Sequence, residues 1–322
     1  AIKPNAKIRI MTRINHTILP PLPSYRSRRP YYIRPGQWRT IASSFLALNI
    51  FEIRKTQGGW NMELNQNQVQ RAMFLAAVCS QTYAQFKNPD GSFVLPPPYA
   101  LYDTLEAKSL IGVWERFGFI WHSPEEIIIA FRGTSSASNW IADAIATQQK
   151  FKWAKDAGST HKGFTGIYAS ARRQLYSALR RLPEDKPLYL TGHSLGAALA
   201  TLCAMDIAVN TNRVPILFTF GSPRVGDPDF VQAFSQHVPN SYRIHNEFDA
   251  VTHIPPTVFK LPKQAKTYYY RHVPVSYPLY FADTSLSTNH GIGSYFAELA
   301  KLDPGYAQYL STLSPGFCPE PT

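Results

Sequence analysis

The run LYLTGHSLGAALATL, residues 188–202, sets Ser194 between Gly192 and Gly196 where one apolar stretch gives way to another. A serine hydroxyl is a poor nucleophile at neutral pH. It acts when a neighbouring base takes its proton and donors stabilise the oxyanion that attack creates. The pattern Gly-x-Ser-x-Gly suits that task when it turns sharply from a buried strand into a helix. Such a turn lifts the hydroxyl clear of the sheet, and side chains at 192 or 196 would collide with the strand or the helix. His193, inside the turn, reads as a buried support for the serine. The helix opening at Leu195 aims its free N–H groups and the positive end of its dipole at the reacting carbonyl, so the Leu195 N–H is one oxyanion donor. By itself the pentapeptide is weak, because Gly and Ser also fill turns that do no chemistry. Its weight depends on what the rest of the chain supplies.

A serine nucleophile needs a histidine base and an acid to orient it, and after a strand–turn–helix elbow these follow in the order acid, then histidine. Asp249, behind the run SYRIHN, satisfies that order, and so does Asp283, which comes after a later strand. Asp227 and Asp229 fall instead where a helix begins. Of the nine histidines, His290 in TNHGIG is best placed, since it follows both the serine and the acid; His272 and His253 compete with it. His16 lies in an N-terminal arm, and His245 flanks the acid.

These groups must be held together by a scaffold. NQNQVQRAMFLAAVCSQTYAQF (65–86) carries apolar residues at helical spacing and is opened by Asn. LPPPYA reads as a loop. SLIGVWERFGFIWHS and EEIIIAFRGTS then form a strand pair, the second buried on both faces. TGIYASARRQLYSALRRL predicts a helix with Ile167, Leu175, Leu179 and Leu182 inward. The most regular part follows: strand PLYL, helix LGAALATLCAMDIAV, strand ILFTFGS, helix DPDFVQAFSQH, strand SYRIHN. Strands alternating with helices imply right-handed crossovers and a mostly parallel sheet covered on both faces. TYYYRHVPV (267–275) is expected to add a strand. NHGIGSYFAELA is expected to be a loop leading into a helix.

With 322 residues and 44% hydrophobic composition, the chain has ample material for a large core. The net charge of +12 is lopsided: residues 1–55 hold eleven Lys/Arg against the single acid Glu52, leaving a nearly balanced remainder. That arm, rich in Pro and Arg, suits either a solvated extension or a peripheral contact with an anionic membrane. No uninterrupted apolar run approaches the roughly 18–20 residues needed to span a bilayer, so the chain reads as soluble or membrane-peripheral. IASSFLALNIFEI (41–53) suits a core helix, an interfacial helix or a leftover targeting core, the first being favoured. Cys79, Cys203 and Cys318 form no metal-binding pattern, and neither a metal nor another cofactor is implied.

Four ordered segments carry a family resemblance. GHSLGAALATL, FRGTSSASNWIADA (131–144), TFGSPRVGDPDF and YRIHNEFDAVTHIPP together resemble the class 3 lipases, the fungal-type lipase branch of the α/β-hydrolases. The resemblance covers roughly residues 65–300. It divides the chain into an N-terminal extension, 1–60, and a catalytic domain, 61–322, and says nothing about the extension. It implies an α/β-hydrolase fold with a short lid helix. Asp249 matches the family's N-x-x-D-x-V acid and His290 its late histidine before an aromatic-rich helix. Thr134 matches the second oxyanion donor, where many relatives carry Ser. The segment after it, with Ser135, Asn139, Trp140 and Ile141, corresponds to the lid, whose apolar side would cover a groove in water and turn outward at a lipid surface.

The expected activity is hydrolysis of lipid esters of the triacylglycerol lipase type through a Ser194–His290–Asp249 triad. Phospholipase A1, galactolipase and feruloyl esterase activities occur on the same scaffold. A non-catalytic binding protein would be expected to lose a triad member, and all three are present. Nucleic-acid binding rests on the basic arm alone, while the near-neutral body carries no such motif.

Overall fold

The structure is a computed structural model that describes residues 53–56, 59–134, 146–261, 265–283 and 285–320, with side chains from residue 63 onward. All of them belong to one compact unit beginning at Ile50. The basic arm up to residue 52 and the expected lid, including Ser135, Asn139, Trp140 and Ile141, lie outside the described residues.

Seven strands form the central sheet: β1 (Ala100–Lys108), β2 (Trp114–His122), β3 (Ile127–Phe131), β4 (Leu188–His193), β5 (Pro215–Phe220), β6 (Ser241–Asn246) and β7 (Ser276–Leu279). Their spatial order is their chain order. β1 and β2 run antiparallel at one side; β3 to β7 are parallel.

Sequential order has a consequence for the helices. Each right-handed crossover between adjacent parallel strands drops its helix on the same face of the sheet. Helices α2 (Lys162–Leu179), α3 (Leu195–Asn210) and α4 (Pro228–His237) therefore share one face. There they pack on Ile127, Ile129, Leu188, Leu190 and Leu217 in one apolar cluster. The other face is covered by elements from the chain's flanks. α1 (Gln66–Lys87), α6 (Ile292–Ala300) and α7 (Pro304–Leu313) pack there on Phe119, Trp121, Ile128, Ala130 and Phe220. In β3, β4 and β5 alternate residues serve the two clusters, as the two-residue strand period requires. The molecule has the α/β-hydrolase fold, with a mostly parallel sheet covered on both faces.

Local signals set most boundaries. Asn65 caps α1 through a reciprocal pair with Gln68, its side chain accepting the Gln68 N–H while Gln68 accepts the Asn65 N–H. Asp227 caps α4, accepting the Phe230 N–H, as expected of an acid just before a helix.

Three elements differ from the sequence expectation. β1 lies in a stretch that offered no strong pattern, because as the last strand of the sheet it buries only part of one side, through Leu105 and Ala107. TYYYRHVPV does not enter the sheet. Thr267–Tyr269 pairs instead with Val258–Lys260 in a separate two-stranded ribbon, and the seventh strand follows at Ser276–Leu279. That strand contains Pro278, tolerable because an edge strand leaves one row of N–H positions unpaired. His290 is not in a loop. It ends the short helix α5 (Leu286–His290), which Gly291 separates from α6.

His161 caps α2, its Nδ1 accepting the N–H groups of Gly163 and Phe164, and burial pushes its imidazole down to about 4. The unfolded imidazole takes up its proton near pH 6.5. Between those values the unfolded state binds more protons, so stability falls as pH drops through the window, by up to about 1.4 kcal/mol per pH unit from this residue. His161→Asn keeps a capping acceptor and removes the titration. Its urea-unfolding midpoint should fall less steeply than the wild type's between about pH 6 and pH 5.

Candidate active site

The site lies at the C-terminal ends of the parallel strands. β4 ends at His193, and Ser194 turns the chain into α3 with φ 59° and ψ −127°. Ser194 and Asp156 are the two non-glycine residues with positive φ among the described residues. Such a conformation costs on the order of 1–3 kcal/mol and persists only where its surroundings hold it. Here the Ser194 N–H donates to the Phe220 carbonyl of β5 at 3.0 Å. The neighbouring glycines are sterically obligatory. A Cβ on Gly192 would lie 2.2 Å from the Gly196 carbonyl oxygen, and one on Gly196 would lie 2.1 Å from the Phe131 carbonyl oxygen.

β3 ends beside this turn, Phe131 pairing with Gly192, and delivers Arg132, Gly133 and Thr134 to the same edge. A Cβ on Gly133 would come within 3.0 Å of the Ser194 Cβ and 2.2 Å of the Tyr83 hydroxyl. The bare backbone at 133 therefore lets Thr134 follow close to the serine. Leu195 is buried as the first residue of α3, and its N–H has no acceptor four residues back within the helix.

The acid and the imidazole arrive from the other side of Ser194. Asp249 follows β6 and is completely buried; its Oδ2 accepts from His290 Nδ1 at 2.7 Å. The same oxygen accepts the Tyr295 hydroxyl at 2.8 Å, and Oδ1 accepts the Val251 N–H at 2.9 Å. Tyr295 in turn accepts the Asn246 N–H at 2.9 Å, and its burial beside the carboxylate pushes its phenol well above the usual range. Gly221, with φ 55°, lies against this pair. A Cβ there would fall 2.9 Å from Asp249 Oδ2 and 3.1 Å from His290 Nδ1. Phe220 thus holds Ser194 while the next residue packs on Asp249 and His290, so the three groups converge on one turn.

His193 links the two sides. Its Nε2 lies 2.6 Å from the His290 carbonyl, which can only accept, so Nε2 carries the proton. Burial, reinforced by His290, holds its pKa well below the usual histidine value, so the ring is neutral. Its Nδ1 is then an acceptor for the hydrogen bond that the Tyr83 hydroxyl donates at 2.8 Å. Three buried polar atoms are left without a partner at this edge: Ser194 Oγ, His290 Nε2 and Thr134 Oγ1. Buried polar groups are nearly always paired, so three orphans around one turn mark a place built for a polar guest. With Nδ1 donating to Asp249, neutral His290 presents Nε2 as a proton acceptor.

The competing residues are engaged elsewhere. His272 Nε2 contacts the Thr252 carbonyl, and His253 Nε2 lies 3.4 Å from the Glu247 carbonyl. Asp283 closes a local turn, accepting the Ser285 N–H. Sequence reasoning missed Tyr83, Gly133, Gly221 and Tyr295. The aromatic run after His290 was visible, but nothing local says that Tyr295 reaches Asp249 across 46 positions.

Residues 128–259 match the family described as Lipase (class 3). This stretch is similar to the class 3 lipases. The match spans β3 to β6 with Thr134, Ser194 and Asp249, and ends before His290. A Rhizomucor miehei lipase is 37% identical over 145 residues, covering 42% of this chain and 39% of that protein. Phospholipase A1-II 3 of Oryza sativa subsp. indica is 35% identical over 167 residues, covering 42% and 40%. The chain thus spans about two fifths of the length of the curated relatives it matches. The solved structure of Rhizomucor miehei triacylglyceride lipase superposes with a TM-score of 0.53 at 25% identity, covering 67% of this chain and 81% of that one.

The Gly192–Gly196 elbow yields a paired prediction. Gly196→Ala drives a methyl into the Phe131 backbone and should cost about 2–3 kcal/mol. Gly166→Ala, in the exposed interior of α2 where a Cβ meets nothing within 4 Å, should stabilise by about 0.5–1 kcal/mol. Urea denaturation of both variants checks the contrast.

Proposed function

We propose that this protein is a serine hydrolase of lipid esters, with Ser194 as nucleophile, His290 as base and Asp249 as the orienting acid. The observation that carries the reading is the set of unpaired buried atoms, Ser194 Oγ, His290 Nε2 and Thr134 Oγ1, beside the Asp249–His290 hydrogen bond. In this mechanism His290 Nε2 takes the Ser194 proton as Oγ bonds to the ester carbonyl carbon. The oxyanion that forms is met by the Leu195 N–H and by Thr134 through its N–H and hydroxyl. Collapse breaks the ester C–O bond, and the departing alkoxide takes the proton from His290. Water then adds to the acyl-enzyme by the same proton route and releases the fatty acid, restoring Ser194. Asp249, fixed by Val251 and Tyr295, keeps the imidazole in the tautomer that leaves Nε2 free to accept.

The substrate class is the triacylglycerol ester. The phospholipase A1 relatives support a second reading in which a phospholipid supplies the acyl ester. A panel of short-chain esters, emulsified triacylglycerol and phospholipid vesicles separates the two. Ser194→Ala should lower turnover on every active substrate by roughly a thousandfold or more and abolish fluorophosphonate labelling. Wild-type protein that neither takes the label nor hydrolyses any member of the panel would overturn the reading.

The arm of residues 1–55, with eleven basic residues against one acid, is proposed to draw the protein to anionic membranes. Deleting it should weaken binding to anionic vesicles at low salt and leave turnover of dissolved esters unchanged. Binding to anionic vesicles at low salt that is unchanged by the deletion would remove the arm from this role.

A further inference from the structure

The turn joining β1 to β2 breaks a rule of turn composition. Tight turns between strands are normally filled by Gly, Asn, Asp, Ser and Pro. This one reads Ser-Leu-Ile-Gly-Val-Trp, residues 109–114. It is well formed. The Ser109 N–H donates to the Val113 carbonyl at 2.8 Å, the Gly112 N–H donates to the Ser109 carbonyl at 2.9 Å, and Gly112 takes the left-handed φ of 83° that the reversal needs. Yet Leu110, Val113 and Trp114 are about half exposed and Ile111 is 83% exposed. Four large apolar side chains within five residues of this turn are left largely outside the core.

Register fixes where this knuckle stands. Gly118 of β2 pairs with Phe131 at the C-terminal end of β3, and Phe131 pairs with Gly192. Trp114 lies four residues further along β2, ~13 Å at the strand rise, in the direction in which β4 leads to Ser194. The turn therefore overhangs the edge of the sheet that carries the site. Two other segments at this edge also expose apolar side chains. Phe248, 53% exposed, directly precedes Asp249, and Leu286, 70% exposed, opens the helix that ends at His290. Lys108, at the base of the turn, sets its ammonium 5.5 Å from the Trp114 ring centroid. A tryptophan with a neighbouring lysine is the pairing that membrane–water interfaces favour, ring among the headgroups and charge towards phosphate.

We propose that the β1–β2 turn is the point at which this protein enters a lipid surface, with Ile111 and Trp114 inserted and Phe248 and Leu286 resting on the same plane. The role is separate from that of the lid segment, and it rests on the reading of the protein as a lipid-ester hydrolase. A lipid surface fits better than a second copy of the chain. A protomer seated on this edge would cover the approach to Ser194, whereas a lipid aggregate brings the ester to it.

The test uses the full chain carrying Ser194→Ala, so that vesicles are not consumed. Flotation with zwitterionic phosphatidylcholine vesicles at high salt suppresses the contribution of the basic arm. Ile111→Ser combined with Trp114→Ser should weaken partitioning at least about tenfold, and Ile111→Ser alone should weaken it by a smaller factor. With Ser194 intact, the double variant should keep its turnover of a dissolved short-chain ester within about twofold and lose about tenfold on emulsified triacylglycerol. Unchanged partitioning of both variants would overturn the proposal. So would sedimentation showing a wild-type dimer that the substitutions convert to a monomer. If wild-type protein takes no fluorophosphonate label and hydrolyses neither the dissolved ester nor the emulsion, the hydrolase reading fails, while flotation of the Ser194→Ala protein still judges the turn.

Discussion

The contact on which the site depends is the packing of α3 against the end of β3, where the Gly196 backbone meets the Phe131 carbonyl with no room for a methyl. That approach forces the chain to turn within one residue and puts Ser194 at φ 59°. The strain is held because both flanks of the turn are committed. β4 is locked between β3 and β5, and α3 is buried along nearly its whole length. A hydroxyl on a relaxed turn would sample several positions; this one has a single backbone setting. Fixed geometry of this kind lets donors and a base be arranged in advance of the charge they must meet.

Around that turn, the polar groups are supported from the two flanks of the domain. α1 contributes Tyr83, which donates to His193 Nδ1, and His193 donates through Nε2 to the His290 carbonyl. α6 contributes Tyr295, which donates to Asp249 and closes a loop of hydrogen bonds with the Asn246 backbone. Both helices cover the sheet face that the crossover helices cannot reach. The same elements that complete the apolar core therefore also orient the acid and the imidazole. Low local dielectric strengthens such networks when every member is paired, and it makes the three unpaired atoms stand out.

Sequential strand order also polarises the molecule. Every parallel strand ends at one edge, so the loops after β3, β4, β5 and β6 must meet there. The antiparallel β1–β2 pair then carries its apolar turn beyond that same edge. The polar site and this apolar turn are thus gathered at one end of the sheet. The opposite end also exposes apolar and aromatic side chains, among them Val214, Leu101, Tyr309 and Leu313.

Much of this was legible locally. The elbow, the alternation of strand and helix, the caps at Asn65 and Asp227 and the buried run of β3 depend on residues close in sequence. Their short-range sterics and periodicity determine them. The edge strands were harder, because β1 and β7 are stabilised by one neighbour each and carry weak or Pro-interrupted patterns. Several acids and histidines met the order that an elbow serine requires, and residue type could not choose among them. Tertiary structure decided that Asp249 and His290 are the pair in contact, that Tyr295 and Tyr83 support them, and that the turn at 109–114 overhangs their edge. Those relations join residues tens to a hundred positions apart, and only the closing of the sheet brings such residues within hydrogen-bonding distance.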